Sequence, residues 1–170
     1  MFGRLVAESP GLRDQLQSVI DLRQAHNQVA ALADVGHEAL RQLAAGAPTR
    51  TFAPGETIIR QGELGESIFF VLEGGVEVFV RRGEGEALID RHGPGSYFGE
   101  LALLGDRRRT ATVRAAELGI RNYELGIEER ERVGARLLEL DAAAFESLRQ
   151  LSGQFAAEVD KAAAERASRL

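Results

Sequence analysis

Cysteine is absent from the 170 residues, and so is tryptophan; methionine occurs once and lysine once, at Lys161. Without cysteine there are no disulfides and no thiolate metal ligands. The three histidines, His26, His37 and His92, are too few and too scattered in the sequence for a histidine-rich metal site. No apolar run approaches the roughly 20 residues that a transmembrane helix needs. Arg4 and Glu8 interrupt the apolar patch near the N-terminus, so no secretory signal is read there. The expectation is a cytoplasmic protein with no membrane partner. The net charge of −5 argues against DNA as a partner, because DNA-binding surfaces are basic. The bases that are present are almost all arginine. Its planar fork suits phosphate or carboxylate, and an arginine-rich composition accounts for most of the others as plain surface residues.

What is present is enough for one domain with a real core: 44% hydrophobic and 28% charged residues, the pattern of a soluble globular chain. Three segments follow one another. Residues 1–33 are read as an N-terminal helix, starting at a Ser9–Pro10 cap and running over 9–33. It has one apolar set at Leu12, Leu16, Val19 and Ile20 and an offset set at Leu22, Val29 and Leu32. Such a helix either packs on its own domain or makes an oligomer contact. Residues 34–152 begin with a short helix at 36–45, in which Leu40 and Leu43 face inward, and then turn β-rich. Strands are expected at 51–52, 57–60, 67–73, 76–82, 87–92, around Tyr97, at 111–115 and at 136–140. Glycine turns at Gly55, Gly62, Gly65, Gly74, Gly83 and Gly95 separate them. Val76, Val78 and Val80 alternate with Glu77, Phe79 and Arg81, as in a half-buried strand. Residues 117–134 break this rhythm and read as an exposed insertion with a helical turn. Asp141 caps a helix with Ala144, Phe145, Leu148 and Leu151 inward, and Gly153 breaks it. Residues 153–170 form a last helix, weakly apolar and mobile, that leads toward a missing effector domain. The fold class is α+β, mainly β: an eight-stranded β-roll or jelly roll flanked by N- and C-terminal helices.

The chemistry concentrates at residues 98–113. Gly99 and Glu100 open a short apolar helical turn, a charged loop follows, and Arg109–Thr110 closes it. A guanidinium offers forked donors to a phosphate, and a nearby carboxylate accepts from sugar hydroxyls. Glu56 and Glu66 sit in Pro-Gly-Glu and Gly-Glu turns and are read as turn residues. No serine, histidine and acid constellation is visible, so the chain shown is not read as an enzyme.

Two motifs resemble those of cyclic nucleotide-binding domains. Residues 52–69, FAPGETIIRQGELGESIF, resemble the front half of that family. Gly93 to Leu103 with Arg109 to Val113 resemble its phosphate-binding cassette. The resemblance implies an eight-stranded β-roll. It implies that Arg109 pairs with a cyclic phosphate, that Glu100 accepts from the ribose 2′-hydroxyl, and that Phe98, Gly99, Leu101 and Ala102 complete the cassette. It further implies that Thr110 reaches phosphate or a guanine amino group. Thr112 is included among the ligand-binding residues, although a structural place inside the roll suits it better. No metal and no cofactor are implied beyond the ligand itself, a cyclic nucleoside monophosphate.

In that family the C-terminal helices move on ligand binding and the last can cap the base; Phe155 and Val159 are the expected cap or tail contacts. The function implied is an allosteric sensor of a cyclic nucleoside 3′,5′-monophosphate, controlling a fused or partner effector. Alternatives are a sensor of a cyclic pyrimidine nucleotide from a bacterial antiphage effector, and a β-roll with no ligand. The tail after residue 150 is too short and too weakly basic for a DNA-reading helix pair. A homodimer through helix 9–33 or the C-terminal helices is the expected self-association.

Overall fold

The computed structural model describes residues 10–43, 45, 47–117, 119–121, 129–131 and 134–170. Its elements are α1 (Pro10–Gln28), a 3-10 turn (Ala30–Leu32), α2 (His37–Leu43), β1 (Thr49–Phe52), β2 (Thr57–Ile59), β3 (Ser67–Gly74), β4 (Val76–Arg82), β5 (Gly85–His92), β6 (Tyr97–Phe98), α3 (Glu100–Leu104), β7 (Thr112–Ala115), β8 (Gly119–Arg121), β9 (Glu129–Glu131), β10 (Ala135–Asp141), α4 (Ala142–Leu151) and α5 (Gly153–Ala167). Eight strands form two four-stranded antiparallel sheets, in the orders β1-β10-β3-β6 and β2-β7-β4-β5. This is the expected β-roll. No described helix is long and apolar enough to cross a membrane.

Strand β3 explains the layering. Residues Ser67 to Leu72 are buried without interruption, which a strand allows only when both faces are covered. Side chains alternate across a strand. Phe69 and Val71 therefore enter the interior of the roll with Val76, Val78, Phe98, Val113 and Leu137. Ile68, Phe70 and Leu72 point the other way, into a second core built with the helices: Leu22, Val29, Leu32, Leu40, Phe145, Leu148, Phe155 and Val159.

The N-terminal helix is shorter than the sequence pattern predicts. It ends at Gln28, and a 3-10 turn carries Leu32 inward. Its inner face is the offset set with Leu22 and Ala25, whereas Leu16, Val19 and Ile20 are exposed. Ser9 lies outside the described residues. Arg136 of β10 anchors the helix: it pairs with Asp21 and donates to Gln24 Oε1 and Glu73 Oε1, each at 2.9 Å. Thr49 Oγ1 donates to Asp21 Oδ2 at 3.0 Å.

The C-terminal half departs from expectation at Leu151 and in the last helix. In the insertion at 117–134, Gly119–Arg121 and Glu129–Glu131 pair as a small antiparallel sheet. The helical turn expected there falls on residues outside those described. Asp141 caps α4 as read, accepting from Ala144 N at 2.8 Å, but Leu151 is 61% exposed. It is the last residue of α4, three positions beyond the buried Leu148, at the junction with α5. The last helix is not a loose tail. Ser152 Oγ caps it by accepting from Phe155 N at 2.9 Å and is itself tied to Asp34, 2.6 Å away. Phe155 and Val159 are wholly buried in the helical core, and Phe155 meets Phe145 edge to face at 6.0 Å.

Truncating a buried phenylalanine costs about 3–5 kcal/mol. Phe155→Ala is therefore expected to lower unfolding stability by that amount in urea denaturation. A loss below about 1 kcal/mol would show that α5 contributes nothing to the core.

Candidate functional site

Strand β6 runs into Gly99, whose φ of 97° turns the chain sharply before α3 begins. A side chain here would be strained, and its Cβ would lie 2.8 Å from Arg109 Nη1 and 2.9 Å from Ser67 O. The loop after α3 carries Arg109 back between two turns. Arg109 N donates to Glu63 O, and Gly62 N donates to Arg109 O, both at 2.8 Å. These two bonds fix where the side chain starts. It then passes Gly65, where a Cβ would lie only 2.0 Å from Nε.

The guanidinium, in a residue 6% exposed, donates to Ser67 O at 2.9 Å, Gly99 O at 3.1 Å and Ser67 Oγ at 3.3 Å. It lies 5.8 Å from the Phe69 ring centroid. Burial pulls its pKa down, and Glu139 and Glu100 oppose that pull. The outcome is a buried cation held by neutral oxygens.

Glu100 opens α3 and is 1% exposed. Its Oε1 accepts from Arg166 Nη1 at 2.5 Å, and Arg166 lies 5.0 Å over the Tyr97 ring. Past the end of α5, Arg169 Nη1 pairs with Asp90 Oδ2 at 2.9 Å, and Arg169 O accepts from Arg82 Nη2 at 3.2 Å. Arg166 holds α3 and Arg169 holds β5, so the chain end spans two elements.

These groups surround a small cleft that is partly open to solvent. Phe98, Gly99, Glu100, Leu101, Ala102, Arg109 and Thr110 all line it, against apolar walls from Ile59, Val78, Ile89 and Val113. Thr112 does not line it. It is buried in β7, and its Oγ1 accepts from Gln61 N at 3.1 Å, which gives it a structural task. Phe155 and Val159 are likewise absent from the cleft, since both serve the helical core.

Sequence reasoning missed Ser67, which orients the arginine, and the side of the cleft made by Asp90, His92, Arg166, Arg169 and Leu170. The signal for Arg166 was present as one of two arginines closing a capped helix, but no pattern in the sequence says what it faces. Burial, followed by the Arg166 charge, lowers the pKa of His92, with Asp90 opposing.

Tyr97 is buried beside this cluster, and burial pushes its phenol up to about 12, against a weaker downward pull from Arg166. An exposed phenol ionises near 10. Below that pH the phenol is neutral in both the folded and unfolded chains and leaves stability unchanged. As pH rises from about 10 toward about 12, only the unfolded chain ionises, and the fold loses stability. Ultraviolet titration of tyrosinate absorbance is expected to show a phase near pH 12 that Tyr97→Phe removes. Ionisation of Tyr97 near 10 in the folded chain would contradict the burial.

Comparison with known proteins places this geometry in context. The family model described as the cyclic nucleotide-binding domain matches residues 49–120. A cAMP-dependent protein kinase regulatory subunit from Mycosarcoma maydis is 45% identical over 67 residues, covering 39% of this chain and 13% of that protein. The chain thus matches only a small part of that relative's length. Among solved structures, the regulatory domain of Toxoplasma gondii PKA, crystallised with cAMP, aligns at a TM-score of 0.66 and 23% identity. That alignment covers 89% of this chain and 51% of the other. The catabolite activator protein of Thermus thermophilus aligns at 0.60 and 22% identity, covering 81% and 58%. At these identities the two structures establish the fold alone.

Proposed function

Because residues 49–120 belong to the cyclic nucleotide-binding domain family, we propose that this chain is a receptor for a cyclic nucleoside 3′,5′-monophosphate and relays its occupancy through the flanking helices. The observation that carries this reading is the convergence of a buried Arg109 and a buried Glu100 on one cleft. A cyclic phosphodiester bears one negative charge, and Arg109 supplies the matching cation. Glu100 accepts from a ribose hydroxyl. Thr110, beside Arg109 on the cleft wall, offers a hydroxyl that donates to phosphate or accepts from a base amino group. The apolar walls from β2, β4, β5 and β7 cover the flat base.

The relay reading rests on packing. Glu100 is bonded to the end of α5, and the start of α5 is set in the same core as α4, the 3-10 turn and α1. A ligand shifts such an assembly only by binding its two states unequally.

The test is calorimetric titration with cAMP, cGMP, cCMP and cUMP, purine and pyrimidine ligands in parallel. The order of affinities assigns the base. Removing one partner of a buried charge pair costs about 2–5 kcal/mol of binding. Arg109→Ala should therefore weaken the preferred ligand by about 30-fold or more. Binding of none of the four, or unchanged affinity in Arg109→Ala, defeats the proposal.

A further inference from the structure

Glu100 raises a difficulty for any anionic ligand. It is an almost fully buried carboxylate lining the same cleft as Arg109, so a phosphate held there lies in a shared low-dielectric space with another negative charge. If Arg109 were alone, the cation of the site would be offset by Glu100 before any ligand arrived. The structure answers this with the end of α5. Arg166 Nη1 sits 2.5 Å from Glu100 Oε1. Arg169, three residues on, is docked 2.9 Å from Asp90 of β5 and held through its carbonyl by Arg82.

Three guanidiniums (Arg109, Arg166, Arg169) and two carboxylates (Asp90, Glu100) line the cleft, which leaves its described charged side chains one positive charge in excess. That is the complement of a monoanion. Removing the arginines of the tail inverts the sign.

We infer that Arg166 is a positioning residue of the ligand site, which cancels the charge of Glu100 so that an anion can lie beside a buried carboxylate, while Arg169 on Asp90 keeps that turn across the cleft. This rests on the cyclic-nucleotide reading above and deepens it. The geometry allows both roles of Glu100 at once. Oε1 is taken by Arg166, and a carboxylate has about four acceptor positions, so Oε2 still accepts from a hydroxyl.

The experiment uses the full chain and whichever of cAMP, cGMP, cCMP and cUMP the wild type binds most tightly, titrated by calorimetry, with thermal unfolding as a check on folding. Arg166→Ala is expected to weaken binding by about 30-fold. Arg166→Lys, which keeps the charge, is expected to retain most of the affinity. Glu100→Gln, which keeps an acceptor and removes the charge, is expected to recover most of the loss when added to Arg166→Ala. Should Arg166→Ala fail to fold, Glu100→Gln is compared with Glu100→Gln/Arg166→Ala, and near-equal affinities are expected.

Equal or tighter binding by Arg166→Ala overturns the inference and makes the tail a competitor of the ligand. A loss that Glu100→Gln does not relieve also overturns it, because the arginine would then act other than through the charge of Glu100. If the wild type binds the ligand and Arg109→Ala abolishes binding while Arg166→Ala does not weaken it, only this inference falls. If the wild type binds none of the four, the receptor reading falls with it.

Discussion

A guanidinium buried in a protein interior needs donors satisfied and charge opposed, and the loops around Arg109 are arranged to meet that need. Ser67 gives both its carbonyl and its hydroxyl, and Gly99 gives its carbonyl. Two glycines clear the path, since a side chain at Gly65 or Gly99 would collide with the arginine. The two turns at residues 62–65 and the start of α3 thus have one common physical cause. An arginine that folds back on neutral oxygens stays charged, yet among the described residues no carboxylate is bonded to it, which is the condition of a site that takes an anion.

Much of this was legible in the sequence because its causes are local. Gly99 followed by an acid and a short apolar turn marks the opening of α3, and the alternating valines of β4 mark a half-buried strand. Arg109 was identifiable because Gly93 to Leu103 with Arg109 to Val113 resemble the phosphate-binding cassette of a known family. The parts that escaped depend on tertiary neighbours. Nothing near Arg166 in the chain indicates Glu100, 66 residues earlier, and nothing near Ser67 indicates Arg109, 42 residues later. The reading of α5 as a weakly apolar tail erred for a related reason. Its apolar content is low on average, but Phe155, Val159 and Ala163 stand four residues apart on one buried stripe. Thr112 has a similar history. A β-branched residue beside a binding motif is ambiguous in sequence, and only the bond from Gln61 N shows that its hydroxyl is already engaged.

The two cores are not independent, because β3 supplies both. Phe69 lies under Arg109 and stacks on Phe98 at 5.1 Å, within the roll, while its neighbours Ile68 and Phe70 pack against the helices. Adjacent residues of one strand thereby report to the ligand cleft and to the helical layer. Packed interiors transmit small displacements poorly as bending and well as discrete repacking, since they are near crystal density.

The end of α5 closes a second connection between the same two regions, and the pair of connections has a mechanical consequence. Through β3, the cleft is joined to the helices by the backbone and by close packing, which resists change. Through Arg166 it is joined by an ion pair whose arginine is partly solvent-exposed, which exchanges partners more readily. Of the two routes, the second therefore rearranges at the lower cost. Its lever is rigid: Arg166 is in the last turn of α5, and Phe155 in the first turn is locked in the helical core with Val159. A change in where Glu100 holds Arg166 must be taken up by rotation of α5 about that buried end, against α4 and the 3-10 turn. The coupling that such a movement supplies is limited by how unequally a ligand binds the two positions of α5.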